Sequence, residues 1–161
     1  MLETVQLVNI QKSHLQPMYL WELDKEIQIN TGIEHPRTYE LFLNSFEKYF
    51  RGEKPQYFIK AVEVNGELLG KIELFFDGDK NYLGIVLASQ RDQGIGTKAL
   101  NLFLTEVKQR KYVDRVHVEV YDDNERSLHF FQKNKFVYTG ESSAEWYKNR
   151  QRKLVTLVRD I

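Results

Sequence analysis

A short polar loop with two glycines stands between the most apolar stretch of this chain and its longest helical pattern. Residues 82–88 are almost continuously apolar, which is typical of a strand covered on both faces. The loop that follows reads Arg91-Asp92-Gln93-Gly94-Ile95-Gly96-Thr97. Beyond it, Leu100, Phe103 and Val107 recur at the spacing of one helix face. Any fold of this chain must therefore accommodate the order strand, glycine loop, helix.

The backbone of this loop predicts a site for a diphosphate. The first turn of a helix has unpaired N–H groups and a partial positive charge, and both stabilise an anion. Gly94 and Gly96 lack the Cβ atoms that would keep a pyrophosphate away from those amides. A plain turn between strand and helix explains the same two glycines, so both interpretations stay open on the loop alone.

A dinucleotide fingerprint is a competing interpretation of the same residues. The hexapeptide 94–99 fits the pattern G-x-G-x-x-A, and Asp122 and Asp123 end a later strand pattern. In that fingerprint the first glycine follows the first strand directly, whereas residues 89–93 intervene here. The unit also begins past mid-chain, which leaves too little chain for a doubly wound sheet. An oxidoreductase therefore ranks second.

Length and composition predict one domain, residues 1–161, without a polyanionic partner. The 161 residues suffice for one well-buried core. Basic and acidic residues number 23 each, so no net positive field favours nucleic acid or anionic lipid. The absence of cysteine excludes thiolate metal sites and a covalent cysteine intermediate. Without a signal-peptide pattern or a long apolar run, we expect a cytoplasmic location and no nucleic-acid, membrane or metal partner.

The remaining periodicities predict an α+β fold in which only one β-α-β unit is parallel. Asn65-Gly66 indicates a tight hairpin, and residues 141–152 have no clear pattern. We expect Ser13 to cap the first helix, and Asp122 or Asp123 the last. Strands are predicted at 4–10, 57–64, 68–76, 82–88, 115–121, 136–139 and 153–160, and helices at 14–23, from Pro36 to about 50, from 96 to 107, and after 123.

Two motifs in this order make the chain resemble the GNAT superfamily of N-acetyltransferases. The first is the family's R/Q-x-x-G-x-G/A loop, matched by Arg91, Gly94 and Gly96. The second is an Asn-led helix with an aromatic tail, matched by residues 124–136. The resemblance covers nearly the whole chain and favours the branch with ribosomal-protein, polyamine and some aminoglycoside acetyltransferases. It implies a mixed, mostly antiparallel sheet with helices on both faces and a central β-α-β cofactor-binding unit.

The resemblance also implies acetyl-CoA as co-substrate. Its pyrophosphate would lie on the amides of 93–97, and its pantetheine arm would run between the strands at 82 and 115. Arg91, Lys98 and Lys133 would neutralise phosphate, although solvated surface charges explain them equally. The implied cofactor-binding residues are Val86, Leu87, Arg91, Gln93, Gly94, Ile95, Gly96, Thr97, Asn124, Phe131 and Lys133.

Two positions depart from the family pattern. Phe131 stands where many members have a tyrosine that protonates the leaving thiolate, and a phenyl ring has no proton to donate. Lys135 replaces the usual glycine before the phenylalanine matched by Phe136. The general acid is then water, Tyr121 or Tyr138.

The resemblance implies direct attack by a primary amine in a ternary complex. A primary amine is mostly protonated at neutral pH and must lose a proton before it attacks. Glu119 and Glu73 are the candidate acceptors of that proton. An ordinary outward-facing role explains either carboxylate as well, and His117 on the same face as Glu119 suits a structural role. We expect the N–H of Val86 or Leu87 to stabilise the oxyanion. The candidate catalytic residues are therefore Glu119, Glu73 and Tyr121.

The acceptor is predicted to be a small-molecule amine or a peptide or protein amine. Four acidic residues between the first two helices would attract a cation, although an unpartnered acidic loop explains them too: Glu22, Asp24, Glu26 and Glu34. Trp146 and Tyr147 would wall the acceptor site. Pairing of two copies is common in the family, so a homodimer is among the implied partners. A non-catalytic acetyl-CoA sensor is the alternative that Phe131 supports.

Overall fold

The structure is a computed structural model that describes residues 4–88 and 94–161. Arg91 and Gln93, both predicted to contact acetyl-CoA, lie outside the described residues. The strands are β1 (Val5–Asn9), β2 (Tyr57–Val64), β3 (Glu67–Asp77), β4 (Lys80–Leu87), β5 (Arg115–Tyr121), β6 (Val137–Tyr147) and β7 (Arg150–Asp160). The helices are α1 (Lys12–Leu23), α2 (Lys25–Thr31), α3 (Tyr39–Phe50), α4 (Ile95–Gln109) and α5 (Glu125–Lys133).

One seven-stranded sheet organises these elements, in the order β1-β2-β3-β4-β5-β7-β6. Neighbouring strands are antiparallel, except that β4 and β5 are parallel. Helix α4 connects this parallel pair, as expected for a crossover between parallel strands. The predicted α+β fold with a single parallel β-α-β unit is therefore confirmed.

Helices cover both faces of the sheet, and strand alternation explains how. Val62 and Val64 of β2 face the cluster built on α4 and α5, which includes Phe103. Ile59 and Ala61 of the same strand face the opposite cluster, built on α1 and α3. Because successive strand side chains point to opposite faces, one strand supplies both cores. The predicted arrangement with helices on both faces is confirmed.

Local sequence signals explain most element boundaries. Asn65 and Gly66 both have positive φ, 52° and 82°, which the two-residue hairpin between β2 and β3 requires. The Thr38 hydroxyl accepts from the N–H of Leu41 and caps α3. Gly52, with φ of 76°, follows the end of α3. The hairpin turn and the end of α3 agree with the sequence-based prediction, whereas α3 begins at Tyr39, three residues after the predicted start at Pro36.

Several predicted details are wrong. Gln11 rather than Ser13 precedes α1, and its N–H donates to His14 Nδ1. Asn124, not Asp122 or Asp123, caps α5, because its side-chain oxygen accepts from the N–H of Ser127 at 3.2 Å. Gln11 escaped prediction because glutamine is not a preferred N-cap residue, and Asn124 because three capping residues, 122–124, stand next to one another.

One helix was also missed, and two strands were predicted too short. Helix α2 was predicted as part of a connection, since its seven residues show no clear apolar face. Residues 141–152, for which no regular element was predicted, contain the end of β6 and the start of β7, so the strands predicted at 136–139 and 153–160 extend into one long hairpin. Strand β6 is exposed at ten of its eleven positions, so it lacks the alternation that marks a half-buried strand.

None of the helices within the described ranges is long and apolar enough to span a membrane. The cytoplasmic location expected from the sequence stays a prediction.

The residue after α5 has a backbone conformation that favours glycine. Lys135 has φ of 73°, and its N–H bonds to the carbonyl of Gln132. A non-glycine residue in the left-handed region is strained. We expect Lys135→Gly to raise the free energy of unfolding by about 0.5 kcal/mol, since relief of strain exceeds the added entropy of the unfolded chain.

Urea denaturation measures this change. Gln132→Gly, inside α5, is the matched control and is expected to lower the free energy of unfolding by about 1 kcal/mol. A loss of stability in Lys135→Gly comparable to that of the control would contradict the argument.

Candidate active site

A cleft opens where β4 and β5 separate. Among the described residues, β4 and β5 pair where Tyr82 lies beside His117, near the start of both strands. Toward their carboxyl ends, a cleft of about 560 Å³ lies between β4, β5, α2 and the start of α5. Its lining includes Ile85 and Val86 from β4 together with Val120 and Tyr121 from β5. Residues from both faces of the sheet thus meet in one opening.

The N-terminus of α4 adjoins this opening. Gly94 is the N-cap with φ of 76°, and its carbonyl accepts the first intrahelical bond, from Lys98 N–H at 3.2 Å. The amides of Ile95, Gly96 and Thr97 therefore precede the hydrogen-bonded part of the helix. Ile95 is fully buried and anchors the first turn in the core. This turn has the free donors and the partial positive charge that suit a phosphate.

Gly96 is required by close packing against α5. A Cβ at this position would lie 2.9 Å from Cε1 of Phe130, which is closer than side-chain carbons approach. A smaller pocket adjoins the cleft and shares part of its lining; we call it the smaller part of the cleft. Phe130 and Gly96 both line it, next to Leu87 and Asn124. The predicted residues of α4, β4 and α5 are thus brought together around one space.

Helix α5 is tied to the first turn of α4 at its other end. Asn134 Nδ2 donates to Thr97 Oγ1 at 3.3 Å and to the Phe130 carbonyl at 2.8 Å. Lys133, adjacent to Asn134, is exposed and does not line the cleft. Of the two residues, it is Asn134 that contacts the first turn of α4.

Backbone alternation in β4 distinguishes Leu87 from Val86. The N–H of Ala88 donates to the carbonyl of Leu69 on β3 at 2.8 Å. Since successive N–H groups of a strand point in opposite directions, Val86 N–H points toward β3 and Leu87 N–H points toward the β5 side. Leu87 is therefore the better placed of the two predicted backbone donors.

Asn124 caps α5 with the group that was predicted to bind the cofactor. Its Oδ1 accepts from Ser127 N–H, and its Nδ2 donates to Ser127 Oγ at 3.1 Å. The residue lines the cleft, so one further hydrogen of its amide group is available to a ligand.

Phe131 lies in an aromatic cluster behind the cleft. It is buried and contacts Phe130 and Phe136 in edge-to-face geometry, with centroid distances of 5.1 and 5.2 Å. The ring supplies packing and an apolar wall.

On the α1–α3 face, two predicted carboxylates flank a glycine. Register places Glu73 of β3 beside Gly84 of β4, and β5 brings Glu119 to the same cleft. A Cβ at Gly84 would lie 3.6 Å from Cγ of Glu73. Because glycine has no side chain, the space between the two carboxylates stays open. Glu73 is paired with Lys71 at 3.1 Å.

Glu119 differs from Glu73 because, among the residues that the structure describes, it forms no ion pair. Partial burial raises the pKa of its carboxyl group, the negative charge of Glu145 adds to this, and Lys80 opposes it. Burial also lowers the pKa of His117, with Lys80 and Arg115 acting in the same direction. A carboxylate with a raised pKa beside a cleft suits proton transfer.

A network missed in the sequence fixes Tyr121. Its hydroxyl donates to Glu145 Oε2 at 2.6 Å, and the Arg152 guanidinium lies 3.6 Å from its ring centroid. Burial, followed by the bond to Glu145, raises the pKa of Tyr121 to about 12. Arg152 is itself buried and donates to the Ile29 carbonyl of α2 at 2.6 Å. No local pattern could reveal this, since the partners lie on four elements.

Helix α2 ends against the same tyrosine. Gly32, its C-cap with φ of 76°, has no room for a Cβ, because the Tyr121 hydroxyl occupies that space. Glycine at this position therefore lets α2 form one wall of the cleft.

The four acidic residues predicted to attract a cation have separate structural partners or positions. Glu22 binds Arg37, Asp24 caps α2 through Ile27 N–H, and Glu34 accepts from Lys148 N–H. Glu26 lines the smaller part of the cleft. Only Glu22 and Glu26 face the opening, so the predicted cluster does not act as a unit.

The predicted aromatic wall is not formed as expected. Trp146 is 70% exposed, and Tyr147 is buried beneath Arg152, 5.1 Å from its guanidinium. Tyr138 is half exposed on β6 and does not line the cleft. Among the described residues, no group of three or more histidine, aspartate or glutamate side chains is placed to hold a metal ion.

Comparison with known proteins agrees with this geometry. A family model described as "Acetyltransferase (GNAT) family" matches residues 16–136, which is most of the chain. The resemblance seen in the sequence is confirmed, and with it the predicted enzyme class, an acetyl-CoA-dependent N-acetyltransferase.

Solved structures share the fold at low sequence identity. An acetyltransferase from Salmonella typhimurium that modifies the N-terminal serine of ribosomal protein L7/L12 is 18% identical, with a TM-score of 0.82 over 98% of this chain and 95% of that one. Spermidine N-acetyltransferase from Vibrio cholerae, in complex with CoA and spermine, is 15% identical, with a TM-score of 0.85 over 97% and 95%. At such identities these structures establish the common fold.

Removing the buried guanidinium should loosen the cleft wall. We expect Arg152→Met to lower the free energy of unfolding by about 2 to 3 kcal/mol, because it leaves the Ile29 carbonyl without its donor and removes the stacking on Tyr121. Urea denaturation measures the change.

Arg150→Met is the matched control two residues away on the same strand. Arg150 is exposed, and its ion pair with Asp123 is long, at 3.9 Å. We therefore expect Arg150→Met to change the free energy of unfolding by no more than about 0.5 kcal/mol. Equal losses in the two variants would show that the Arg152 network does not stabilise the fold.

Proposed function

Because the chain belongs to the acetyltransferase (GNAT) family, we propose that it transfers the acetyl group of acetyl-CoA to a primary amine in the cleft between β4 and β5. The observation that carries the proposal is the position of this cleft. It joins the free amides of α4 on one side of the sheet to Glu119 on the other. Acetyl donor and amine then approach from opposite sides.

The residues present suit acetyl-CoA as co-substrate. The first turn of α4, with Gly94 and Gly96, would hold the pyrophosphate, and Lys133 would stand close to it. The slot beside Leu87 and Asn124 would take the extended arm, with their N–H groups as donors. Acetyl-CoA supplies the activated acetyl thioester, and the chain orients that thioester toward the acceptor side.

Glu119 is our assignment for the group that accepts the proton of the amine. An alkylammonium has a pKa of about 10, so it must lose a proton before the nitrogen attacks. Glu119 faces the cleft without a close cation, whereas Glu73 is held by Lys71. We assign Glu73 to orientation of the ammonium group across Gly84. The N–H of Leu87 would stabilise negative charge on the acetyl oxygen.

The leaving thiolate needs no dedicated acid in this assignment. Phe131 has no exchangeable proton, and a Tyr121 hydroxyl with a pKa of about 12 is a weak donor to a thiolate whose conjugate acid has a pKa of about 8.5. Tyr121 then holds Glu145 and the end of α2, and water protonates the thiolate. This assignment leaves Tyr121 in the site as a positioning residue.

The acceptor is proposed to be a small amine or a peptide amine. Structural relatives include one that modifies a protein N-terminus and one crystallised with spermine, so both kinds of amine occur among proteins with this fold. A homodimer stays a prediction.

A sensor that binds acetyl-CoA without turnover is the second candidate. Phe131 favours it, because the position that donates a proton in many relatives is apolar here. The two functions differ in one observable, the release of free CoA when an amine is supplied.

Ligand-dependent thermal stability tests the cofactor class. We expect acetyl-CoA and CoA to raise the melting temperature, because a ligand present at about 100 times its Kd adds about 2.7 kcal/mol to the free energy of unfolding. NADH is the control and is expected to leave the melting temperature unchanged. Stabilisation by NADH alone would favour the oxidoreductase.

Substitution of the proposed base tests the mechanism. We expect Glu119→Gln to lower kcat/KM at least about 100-fold, because the amide cannot accept the proton. The wild-type rate should fall as pH drops through the raised pKa of Glu119, since the carboxylate is the active form, and this fall should be absent in the variant.

Release of CoA across a pH series measures both effects. Glu67→Gln, an exposed position at the start of β3, is the control and should retain wild-type activity. Full activity of Glu119→Gln would remove this residue from the mechanism. The same measurement on Glu73→Gln shows whether Glu73 affects KM, as expected for orientation of the amine, or kcat.

A further inference from the structure

A second polar cavity adjoins the acceptor side of the cleft. It has a volume of about 320 Å³ and lies between α3, the segment before α3, and strands β2 and β3. It shares Lys71 and Glu73 with the main cleft, so the two spaces meet at this ion pair. Besides this ion pair, the polar groups of the cavity are those of Arg37, Ser45, Tyr49, Lys54 and Tyr57.

The charges of this cavity are predominantly positive. Arg37 donates through Nε and Nη2 to the two oxygens of Glu22, at 2.9 and 2.8 Å. Lys71 is paired with Glu73, the only carboxylate that lines the cavity among the described residues. Lys54 is partly buried and has no ion-pair partner within residues 4–88 and 94–161. With three cationic side chains and one carboxylate in its lining, the cavity is complementary to an anion.

The adjoining cleft has the opposite sign. Glu22, Glu73, Glu119 and Glu145 line it, and Lys71 is the cation on its floor. An ammonium group is favoured there and an anion is favoured beside Lys54. The two regions are close, because Ile59, Glu73 and Gly84 occupy neighbouring register positions on β2, β3 and β4. Glu119 is level with Gly84 on the next strand, β5. Strands lie about 4.8 Å apart, so Ile59 and Glu119, three strands apart, are separated by at least roughly 14 Å.

We propose that the cavity beside Lys54 binds an anionic group of the acceptor, so that the substrate is an amine that also has a carboxylate or a comparable anion. This inference rests on the proposed function. A separation of roughly 14 Å corresponds to about four residues of extended peptide. A short peptide with a free C-terminal carboxylate therefore places its amine at Glu119 and its carboxylate at Lys54, which a linear diamine does not.

Binding of N-acetylated tetrapeptides to the CoA-saturated protein tests this without requiring turnover. Each tetrapeptide is compared by calorimetry as the free C-terminal carboxylate and as the C-terminal amide. We expect the carboxylate to bind roughly tenfold more tightly, because a hydrogen bond to a charged group is lost in the amide. Lys54→Gln should remove this difference.

Lys108→Gln is the matched control, since Lys108 is exposed on α4, on the opposite face of the sheet. It should keep the preference for the carboxylate. Equal binding of the two peptide forms, or binding of neither, overturns the proposal, as does an undiminished preference in Lys54→Gln.

Release of CoA with the unacetylated peptides and with linear diamines separates the two proposals. Turnover that favours carboxylates, with the preference lost in Lys54→Gln, supports both. Turnover of diamines and peptide amides at the same kcat/KM as carboxylates supports the transferase and overturns the anion site. A carboxylate preference in binding without release of CoA from any amine supports the anion site and contradicts the transferase.

Discussion

The site depends on the separation of two parallel strands. Strands β4 and β5 pair at Tyr82 and His117 and then diverge, and α4 is the next helix along the chain after β4. A continuous ladder would close the sheet at this point and keep its two faces apart. Because the ladder opens, the backbone of Leu87, the first turn of α4 and the carboxylate of Glu119 border one space. The helices packed on each face hold the opening in shape.

The two faces of the sheet contribute different kinds of groups to the site. On one face, α4 and α5 pack by close contact, seen where Gly96 meets Phe130, and offer backbone donors to an anion. On the other face, α1, α2 and α3 surround side chains that titrate, and Arg152 with Tyr121 fixes the end of α2. The first arrangement suits a fixed co-substrate. The second arrangement has the ion pairs that can discriminate among acceptors.

Local signals explain what sequence reasoning predicted well. The Asn65-Gly66 turn, the apolar face of α4 and strands β2 and β5 each result from residues close together in the chain. Helix α2 was missed, and β6 was predicted only as far as residue 139, for the converse reason. Strand β6 is exposed along most of its length, and α2 is held by Arg152, which is distant in the chain. The apolar pattern of their own residues does not signal the structure that they adopt.

The sequence by itself determined the class of fold, the order of its elements, the glycine loop at the start of α4 and the carboxylates available for proton transfer, because spacing and residue type decide these. Tertiary structure decided which groups act together. It paired Glu73 with Lys71, left Glu119 without a close cation and brought Tyr121, Glu145 and Arg152 into contact from three strands. It also placed Lys54 beside the acceptor cleft. Such neighbours are separated widely in the chain, and only packing determines their distances and their burial.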